Sequence, residues 1–220
     1  MASNKNLIVY AVRSDYIVDV EETILRLGLN VRAYIDNMEA ENSPEVTGPI
    51  VKVSGIDPLW LDDPIIIPLV TPGHRKKVEE ETRQLGFSNY PPLIDPTAVI
   101  ASSVVYGEGF MVNAGAVLAA KCNIGRFVLV NRSVSIGHHA IIEDYVGFGP
   151  GALLCGGCKI NQGAFIGAGA IITPQTSVGR NAIVGAGAVV VKDVPDNCVV
   201  IGNPARVIKQ NITGYNEVSV

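Results

Sequence analysis

The sequence predicts two consecutive folds: a small α/β domain with a parallel, Rossmann-like sheet, and then a parallel β-helix. The first 90 residues alternate strand-like and helix-like stretches. Two prolines interrupt the chain at positions 91 and 92, and a six-residue apolar period begins at Ile100. We therefore divide the chain into an α/β domain at 1–92, a β-helix domain at 93–210 and a C-terminal tail at 211–220.

The first domain alternates strands and helices in an order that favours a parallel sheet. Strand-like apolar runs occupy 7–12, 31–35 and 65–70, and helix-like stretches occupy 17–29 and about 73–85. The second strand ends at Asp36. Tyr90-Pro91-Pro92 predicts a linker, because two prolines stop a helix and withhold ladder hydrogen bonds.

The second half carries a six-residue repeat. Every sixth residue from Ile100 to Val190 is bulky and apolar, sixteen in succession. Since 48% of the chain is apolar, such a run has a chance probability of about one in twenty thousand over six phases. A second, mostly small residue follows four positions after each bulky one. The residue directly after the bulky one is often Gly or Asn, for example Gly107, which predicts a turn with positive φ there.

A helix has a period near 3.6 and a flat strand a period of 2, so neither explains a period of six. A coil with three short strands and three turns does explain it. The bulky and small residues of each hexapeptide then fill a narrow triangular interior, and successive coils pair through parallel ladders. Eighteen residues per coil predict about five coils.

Composition limits the class of protein further. The net charge of -4 provides no basic surface for nucleic acid. No apolar run is long enough to cross a bilayer, and no signal peptide is recognisable, so we expect a cytoplasmic protein with no membrane insertion. Cys155 and Cys158 have a zinc-like or redox-like spacing, but the repeat places Cys158 in the interior, and we predict no metal.

The repeat resembles that of the left-handed β-helix acyltransferases. The matching segments resemble most closely the bacterial sialic acid O-acetyltransferases and UDP-4-amino-sugar N-acetyltransferases. They lie at 131–157, 184–188 (VGAGA), 192–195 (KDVP) and 202–206 (GNPAR). This resemblance covers the β-helix half almost completely. It implies left-handed coils, acetyl-CoA as the acyl donor, a sugar acceptor and a homotrimer with the site between subunits.

Two adjacent histidines are the candidates for acid–base chemistry. His138 and His139 stand two and three positions after Ile136, so the repeat directs both imidazoles outward. Gly156 lies one coil above His138, and its backbone N–H is predicted to remain open, as a donor for a tetrahedral oxyanion. The resemblance implies that His138 is the general base. It also places His139 where related enzymes often have an acidic residue that raises the basicity of the histidine.

Further binding residues follow from the resemblance. The donor contacts of the related enzymes correspond to Gly147, Ala168 and Ala186, and we add Gly156 to this set. Ala168 and Ala186 are eighteen residues apart, so they line one outer face. Many related enzymes have a histidine at the position of Gly147.

The acceptor is expected at the α/β domain. Related enzymes have a glycine-rich turn after the first strand, whereas residues 11–16 here (AVRSDY) contain no glycine. Arg13 is expected to meet a phosphate or carboxylate, and Ser14 or Asp15 to cap the next helix. The full set of predicted substrate-binding residues is Arg13, Ser14, Asp15, Asp36, Asn37 and Asn131. Asn113 and Asn131 stack one coil apart, which fits either a structural ladder or an acceptor contact.

The predicted function is transfer of an acetyl group from acetyl-CoA to an amine or hydroxyl of a sugar, in particular a nucleotide-linked amino sugar used for bacterial glycan or surface polysaccharide. One alternative is a transferase with another acyl donor or a non-nucleotide acceptor. Another is a non-catalytic β-helix scaffold. A third is a zinc-dependent hydratase relative, which needs well-separated metal ligands, and the β-helix offers only the adjacent histidine pair.

Overall fold

The computed structural model describes residues 6–38 and 45–220. The α/β domain holds a four-stranded parallel sheet of order β3-β2-β1-β4. Its elements are β1 (Leu7–Tyr10), α1 (Ile17–Arg26), β2 (Val31–Asp36), β3 (Ile50–Lys52), two 3₁₀ turns (Val53–Gly55 and Pro58–Trp60), β4 (Ile65–Ile66) and α2 (Pro72–Gln84).

Several predicted boundaries of this domain were too long. Helix α1 ends at Arg26 rather than at residue 29, because Gly28 adopts a φ of 63° and reverses the chain. Strand β4 has only two residues, since Pro68 follows shortly afterwards and cannot donate to a ladder. The expected linker at Tyr90 is instead packed: its ring is buried, and its hydroxyl lies 2.9 Å from Thr82 Oγ1.

From Leu93 the chain winds into a parallel β-helix of triangular section, with one sheet on each side. The eight-stranded sheet contains β5 (Leu93–Ile94), β8 (Met111–Val112), β11 (Leu129–Val130), β14 (Gly147–Phe148), β17 (Phe165–Ile166), β20 (Ile183–Val184), β22 (Val199–Ile201) and the antiparallel β23 (Arg206–Lys209). The six-stranded sheet contains β6 (Val99–Ile100), β9 (Val117–Leu118), β12 (Ser135–Ile136), β15 (Leu153–Leu154), β18 (Ile171–Ile172) and β21 (Val189–Val190). The five-stranded sheet contains β7 (Val105–Tyr106), β10 (Asn123–Ile124), β13 (Ile141–Ile142), β16 (Lys159–Ile160) and β19 (Ser177–Val178).

The predicted interior is confirmed. Strand pairs are eighteen residues apart, for example Ser135 with Leu153. Fourteen of the sixteen bulky positions are buried in one continuous core, together with the small residues that follow them. The other two lie in the first coil: Ile100 is partly buried, and Tyr106 is 40% exposed and stacks on Phe110. These two have no complete coil beneath them.

The predicted position of the left-handed residue was wrong. Positive φ occurs three residues after the bulky position, not directly after it, as at Lys121 (63°), Phe127 (51°) and His139 (56°). The glycines directly after the bulky residues serve close packing instead. A Cβ at Gly137 would lie 2.6 Å from the carbonyl carbon of Cys155 in the next coil, a distance that real Cβ atoms do not reach.

Helix α1 and the guanidinium of Arg75 join the two domains. Ile17, Val20 and Ile24 pack on the outer face of the eight-stranded sheet, where Met111 and Leu129 are buried. Arg75 on α2 is 1% exposed. It donates to five carbonyl oxygens, those of Leu69, Val70, Phe127, Tyr145 and Val146. Burial lowers the pKa of Arg75 to about 9, so the side chain remains a cation at pH 7, solvated by carbonyl dipoles.

Candidate active site

His138 lies at the edge of the prism where the six-stranded sheet turns into the five-stranded sheet. It follows β12, and both it and His139 are exposed, as the repeat predicted. The two Nδ1 atoms are 2.9 Å apart, and the rings are nearly perpendicular at 88°. One ring therefore donates and the other accepts. With His138 as the donor, its Nε2 keeps a free lone pair and can take a proton.

Gly156 lies directly over the His138 ring. A Cβ at this glycine would lie 2.6 Å from Cε1 and 2.7 Å from Nε2 of His138, so any larger residue would displace the imidazole. The neighbouring Gly157 N–H donates to the His138 carbonyl at 2.8 Å. The Gly156 N–H has no acceptor in the part of the chain that the structure describes. A free imidazole nitrogen and a free amide donor thus lie side by side.

A groove of about 390 Å³ follows a second edge of the prism, between the eight-stranded and six-stranded sheets. Its lining is largely apolar: Val70, Asn131, Gly149, Pro150, Phe165, Gly167, Ala168, Ile183, Val184, Gly185, Ala186 and Tyr215. Ala168 and Ala186 lie one coil apart on this edge, and within the described ranges neither backbone N–H is bonded to a protein acceptor. We call this surface the edge groove.

Gly147 lies beneath the edge groove rather than on its wall. It is part of β14 and is buried. A Cβ here would be 2.9 Å from Cδ2 of Phe165 and 3.4 Å from the Val70 carbonyl oxygen. The absence of a side chain at Gly147 therefore lets Phe165 and Val70 close over this point.

The two stacked asparagines form a buried ladder. The Tyr16 hydroxyl lies 2.7 Å from Asn113 Oδ1, and Asn113 Nδ2 donates to Asn131 Oδ1 at 3.1 Å. The Arg132 backbone N–H also donates to Asn131 Oδ1. Burial raises the pKa of Tyr16, so its hydroxyl keeps its proton. Of the two alternatives, the contacts favour the structural ladder, although Asn131 also lines the edge groove.

A cleft of about 440 Å³ opens beyond the carboxyl ends of β1, β2 and β4, where open parallel sheets bind ligands. It is lined by Ala11, Arg13, Ser14, Asn37, Met38, Leu69, Val70, Thr71, His74, Lys77 and Val78. Among the described lining residues none is acidic, and Arg13 and Lys77 are cationic. We call it the domain cleft. Because Val70 borders both cavities, the domain cleft and the edge groove adjoin.

Arg13 and Asp36 hold each other in this cleft. Arg13 Nε and Nη2 donate to the two carboxylate oxygens at 2.8 and 2.7 Å, and Lys52 Nζ lies 2.8 Å from Oδ2. Asp36 is 2% exposed. The Arg13 hydrogen bonds, with Lys52 and the Met38 amide, hold the pKa of Asp36 well below its usual range. The carboxylate therefore has charged partners at both oxygens.

The other predicted acceptor residues differ in position. Asn37 Nδ2 donates to Glu81 Oε2 at 3.1 Å, and Asn37 faces the domain cleft. Asp15 is exposed and borders a separate depression of about 350 Å³. The expected cap of α1 was wrong, because the N-cap residue is Tyr16 and no side chain caps it. Ser14 Oγ accepts a long hydrogen bond of 3.4 Å from the Tyr16 N–H.

The turn after β1 keeps a left-handed residue without a glycine. Ala11 has a φ of 63° and is buried, and its N–H donates to the Ile35 carbonyl at 3.0 Å. A positive φ strains a side chain that has a Cβ. The chain thus makes a left-handed turn at a residue with a Cβ, which brings a methyl group to the mouth of the cleft.

Three candidate residues were not predicted from the sequence. His74 and Lys77 are exposed on α2 and line the domain cleft. Their i, i+3 spacing places them on one face of a helix, so a signal existed, but nothing in the sequence showed that this face borders the cleft. Tyr215 lines the edge groove. It stands outside the repeat, and no periodicity could indicate its position.

The cysteine spacing has a structural explanation. Cys158 is fully buried, and its Sγ lies 3.1 Å from the Cys155 carbonyl oxygen. Burial raises the pKa of the Cys158 thiol, which keeps it protonated. Within residues 6–38 and 45–220 there is no cluster of three or more His, Cys, Asp or Glu side chains arranged to hold a metal ion.

Comparison with known proteins decides the family. The bacterial transferase hexapeptide family (six repeats) matches residues 157–192. The acetyltransferase domain of PglB from Neisseria gonorrhoeae, solved with acetyl coenzyme A, is 30% identical with a TM-score of 0.83, over 94% of this chain and 100% of that one. This chain is a hexapeptide-repeat sugar acetyltransferase.

Two other solved structures agree with this assignment. PerB from Caulobacter crescentus, in complex with CoA and GDP-perosamine, is 29% identical with a TM-score of 0.81 and matches 93% of this chain and 97% of that one. WeeI from Acinetobacter baumannii is 26% identical with a TM-score of 0.75, over 92% and 99%. The fold of this acetyltransferase is therefore an α/β domain followed by a left-handed parallel β-helix. None of its described helices is long and apolar enough to cross a membrane.

Proposed function

We propose that this acetyltransferase moves the acetyl group of acetyl-CoA to an amine of a nucleotide-linked amino sugar, with His138 as the general base. The observation that carries the proposal is the exposed His138 imidazole beside the unpaired Gly156 amide. Structures related to this chain support it, because PglB was solved with acetyl coenzyme A and PerB with CoA and GDP-perosamine.

The chemistry is direct transfer. The lone pair of the acceptor amine attacks the thioester carbonyl carbon, and a C–N bond forms while an N–H proton passes to His138 Nε2. The Gly156 N–H donates to the developing oxyanion, where a positioned donor is most effective. The C–S bond then breaks, and the CoA thiolate takes the proton from the imidazolium. General base assistance of this kind contributes about 10² to 10⁴ in rate.

His139 orients the base in this proposal. Its Nδ1 lone pair accepts from His138 Nδ1–H at 2.9 Å, which leaves the lone pair of the base on Nε2. A neutral imidazole thus takes the place of the acidic partner in related enzymes. It fixes the ring and its tautomer without adding a negative charge.

The edge groove is the proposed site for the donor. Ala168 and Ala186 line it one coil apart, about 4.8 Å for paired strands, and among the described residues their N–H groups have no protein acceptor. The pantetheine arm carries two amide carbonyls in series, which such donors can bind. The apolar lining suits its methylene groups. Gly147 contributes by admitting Phe165 rather than by touching the donor.

The domain cleft is the proposed site for the acceptor. It has cationic side chains and no acidic side chain among its described lining residues, a charge that favours a diphosphate. We assign Arg13, Ser14, Asn37, His74 and Lys77 to this contact. Asp36 acts indirectly by holding Arg13, and Asp15 lies outside the cleft. In this proposal, the domain at 1–92 binds the acceptor and the domain at 93–210 binds the donor.

A homotrimer completes the site in this proposal. His138 and the edge groove lie on different edges of the prism, so a second copy must supply one of them. The outer face of the six-stranded sheet is apolar except at Ser135, with Val99, Val117, Leu153 and Ile171 exposed, which suits contact between copies. We expect light scattering to report three times the 23.3 kDa chain mass.

Acetyl-CoA and nucleotide sugars are cytoplasmic metabolites, and we place the enzyme in the cytoplasm on that ground.

Steady-state kinetics with acetyl-CoA and a panel of nucleotide-linked amino sugars tests the function. A thermal-shift screen first identifies ligands, because a ligand that binds only the folded state raises Tm. We expect His138→Ala to lose more than about a hundredfold in kcat with CoA binding retained. Near-normal turnover by this variant would refute the base. No thermal shift with any CoA thioester would refute the donor assignment.

A further inference from the structure

The last residues of the chain form a strap across the β-helix. We define the strap as Gly214–Val220. The Tyr215 ring stacks on Phe165 with centroids 3.8 Å apart and planes 17° from parallel. Asn216 Nδ2 donates to Thr71 Oγ1 at 2.9 Å, and the Val220 N–H donates to Asn181 Oδ1 at 3.0 Å. The strap is thus fixed to both domains.

Close packing on α2 holds the strap further. A Cβ at Gly73, in the first turn of that helix, would lie 2.6 Å from the Val218 carbonyl oxygen and 2.7 Å from that of Ser219. Only a glycine lets the strap approach the helix so closely. The strap therefore occupies one position relative to Thr71, which lines the domain cleft.

Tyr215 reaches the edge groove from this position. Together with Phe165 it forms a stacked pair of rings that lines the same groove as the small residues Ala168 and Ala186. The hydroxyl makes no hydrogen bond within the described residues, so stacking on Phe165 is the side-chain contact that holds the ring. An aromatic face beside two amide donors provides an apolar surface and a polar one for a single chain-like ligand.

We propose that Tyr215 is a donor-binding residue that packs against the pantetheine arm of acetyl-CoA. This inference rests on the proposed donor site in the edge groove. An arm of alternating methylene and amide groups uses both surfaces: its amides bind the Ala168 and Ala186 N–H groups, and its methylenes pack on the Tyr215 and Phe165 rings. Asn216 positions the ring through its hydrogen bond to Thr71. Tyr215, in the donor groove, is therefore linked to Thr71, a residue that lines the acceptor cleft.

Equilibrium titration of the full chain with CoA tests the proposal. We expect Tyr215→Ala to raise the Kd about tenfold, the loss of an aromatic packing contact and its buried area. Tyr215→Phe keeps the ring and should bind like the wild type. Glu217→Ala, an exposed change in the same strap, is the matched control. Unchanged Tm and unchanged oligomeric mass establish that Tyr215→Ala is folded. If Tyr215→Ala does not fold, Tyr215→Leu, which keeps apolar bulk, is used in its place.

Two fragments of CoA locate the contact. Tyr215→Ala should weaken binding of 4′-phosphopantetheine and leave binding of 3′,5′-ADP unchanged. A Kd for CoA within twofold of the wild type would overturn the role of Tyr215 and leave the donor site standing. A loss confined to 3′,5′-ADP would overturn the pantetheine contact. Failure of the wild type to bind CoA at all would overturn the donor site, and the role of Tyr215 with it.

Discussion

At the scale of single residues, the His138 ring keeps its position because Gly156, directly above it, has no side chain. A Cβ at Gly156 would meet the imidazole at 2.6 Å, so Gly156→Ala must move the base. A displacement of about 1 Å at a reacting group costs on the order of a hundredfold in rate. We expect kcat to fall by about that factor, with the Kd for CoA unchanged, in steady-state kinetics and calorimetry.

Gly157→Ala is the matched control for this change. Gly157 has a φ of 72°, and its nearest neighbour for a Cβ is Gln175 Cγ at 3.4 Å. The same position of other hexapeptides carries Lys121, Phe127 and His139, so the backbone accepts a side chain there. The control should keep kcat at a small cost in stability. Equal losses of kcat in both variants would show that the loop, not the ring contact, limits turnover.

The repeat predicted which residues point outward, but not how they meet. Phase alone located His138 and His139 on the surface and Gly156 one coil away. The Nδ1–Nδ1 contact was beyond it, because that contact depends on side-chain rotamers and on the left-handed φ of His139. The turn glycines were assigned the wrong role for a similar reason: spacing reveals a small residue, but not whether φ or close packing requires it.

At the scale of secondary-structure elements, α2 is fixed to the β-helix by Arg75. Arg75→Met would remove the donor to five carbonyl oxygens, of which that of Val146 keeps the Leu129 N–H. Buried polar groups without partners cost about 1–3 kcal/mol each, partly recovered by water. We expect a loss of at least about 3 kcal/mol in the free energy of unfolding, measured by urea denaturation.

Lys76→Met on the same helix is the control, because Lys76 is half-buried at the surface and its ion pair with Glu80 is long, at 3.9 Å. Surface pairs of this kind contribute about 0–1 kcal/mol. Similar losses in the two variants would contradict the role of Arg75 as the connection between domains.

The Asp36 carboxylate joins the loop after β1 to β2 and β3, through Arg13 and Lys52. Its pKa is depressed in the folded state, so the unfolded chain binds a proton more readily, with a pKa of about 3.9. The stabilisation is complete at pH 7 and is lost as the pH falls below about 4. We expect Asp36→Asn to cost about 1–3 kcal/mol at pH 7, with the difference from the wild type narrowing in acid. A constant difference from pH 7 to pH 3, by chemical denaturation, would contradict this linkage.

Element boundaries followed from the sequence best where a signal repeats along the chain. The β-helix strands were predictable because every coil repeats the same packing. In the α/β domain, α1 stopped early at the Gly28 turn, and Tyr90 became buried between domains because Phe127 and Thr82 offered partners. Those partners are 37 and 8 residues away. Neither contact leaves a periodic trace in the sequence.

At the scale of the whole molecule, His138, the proposed base, and the edge groove, the proposed donor site, are separated by the prism. His138 follows a strand of the six-stranded sheet, whereas Ala168 and Ala186 follow strands of the eight-stranded sheet. The two groups therefore occupy different edges. The repeat could place each residue on its edge, but nothing in one chain specifies how copies pack. In the proposed trimer, the surface that we expect the copies to bury is the outer face of the six-stranded sheet, where Leu153 and Ile171 are exposed.

An intersubunit site makes a prediction that a site within one chain does not. His138→Ala lacks the base but keeps its groove, and Ala168→Trp blocks the groove but keeps its base. Each variant alone should be inactive. In trimers refolded from an equal mixture, a site is restored when an intact base faces an intact groove, which random assembly in a cyclic trimer gives at about a quarter of the sites. We expect close to that fraction of wild-type kcat.

Mixtures of assembled trimers that cannot exchange subunits are the control and should stay inactive. If base and groove worked within a single chain, the refolded mixture would be as inactive as its components.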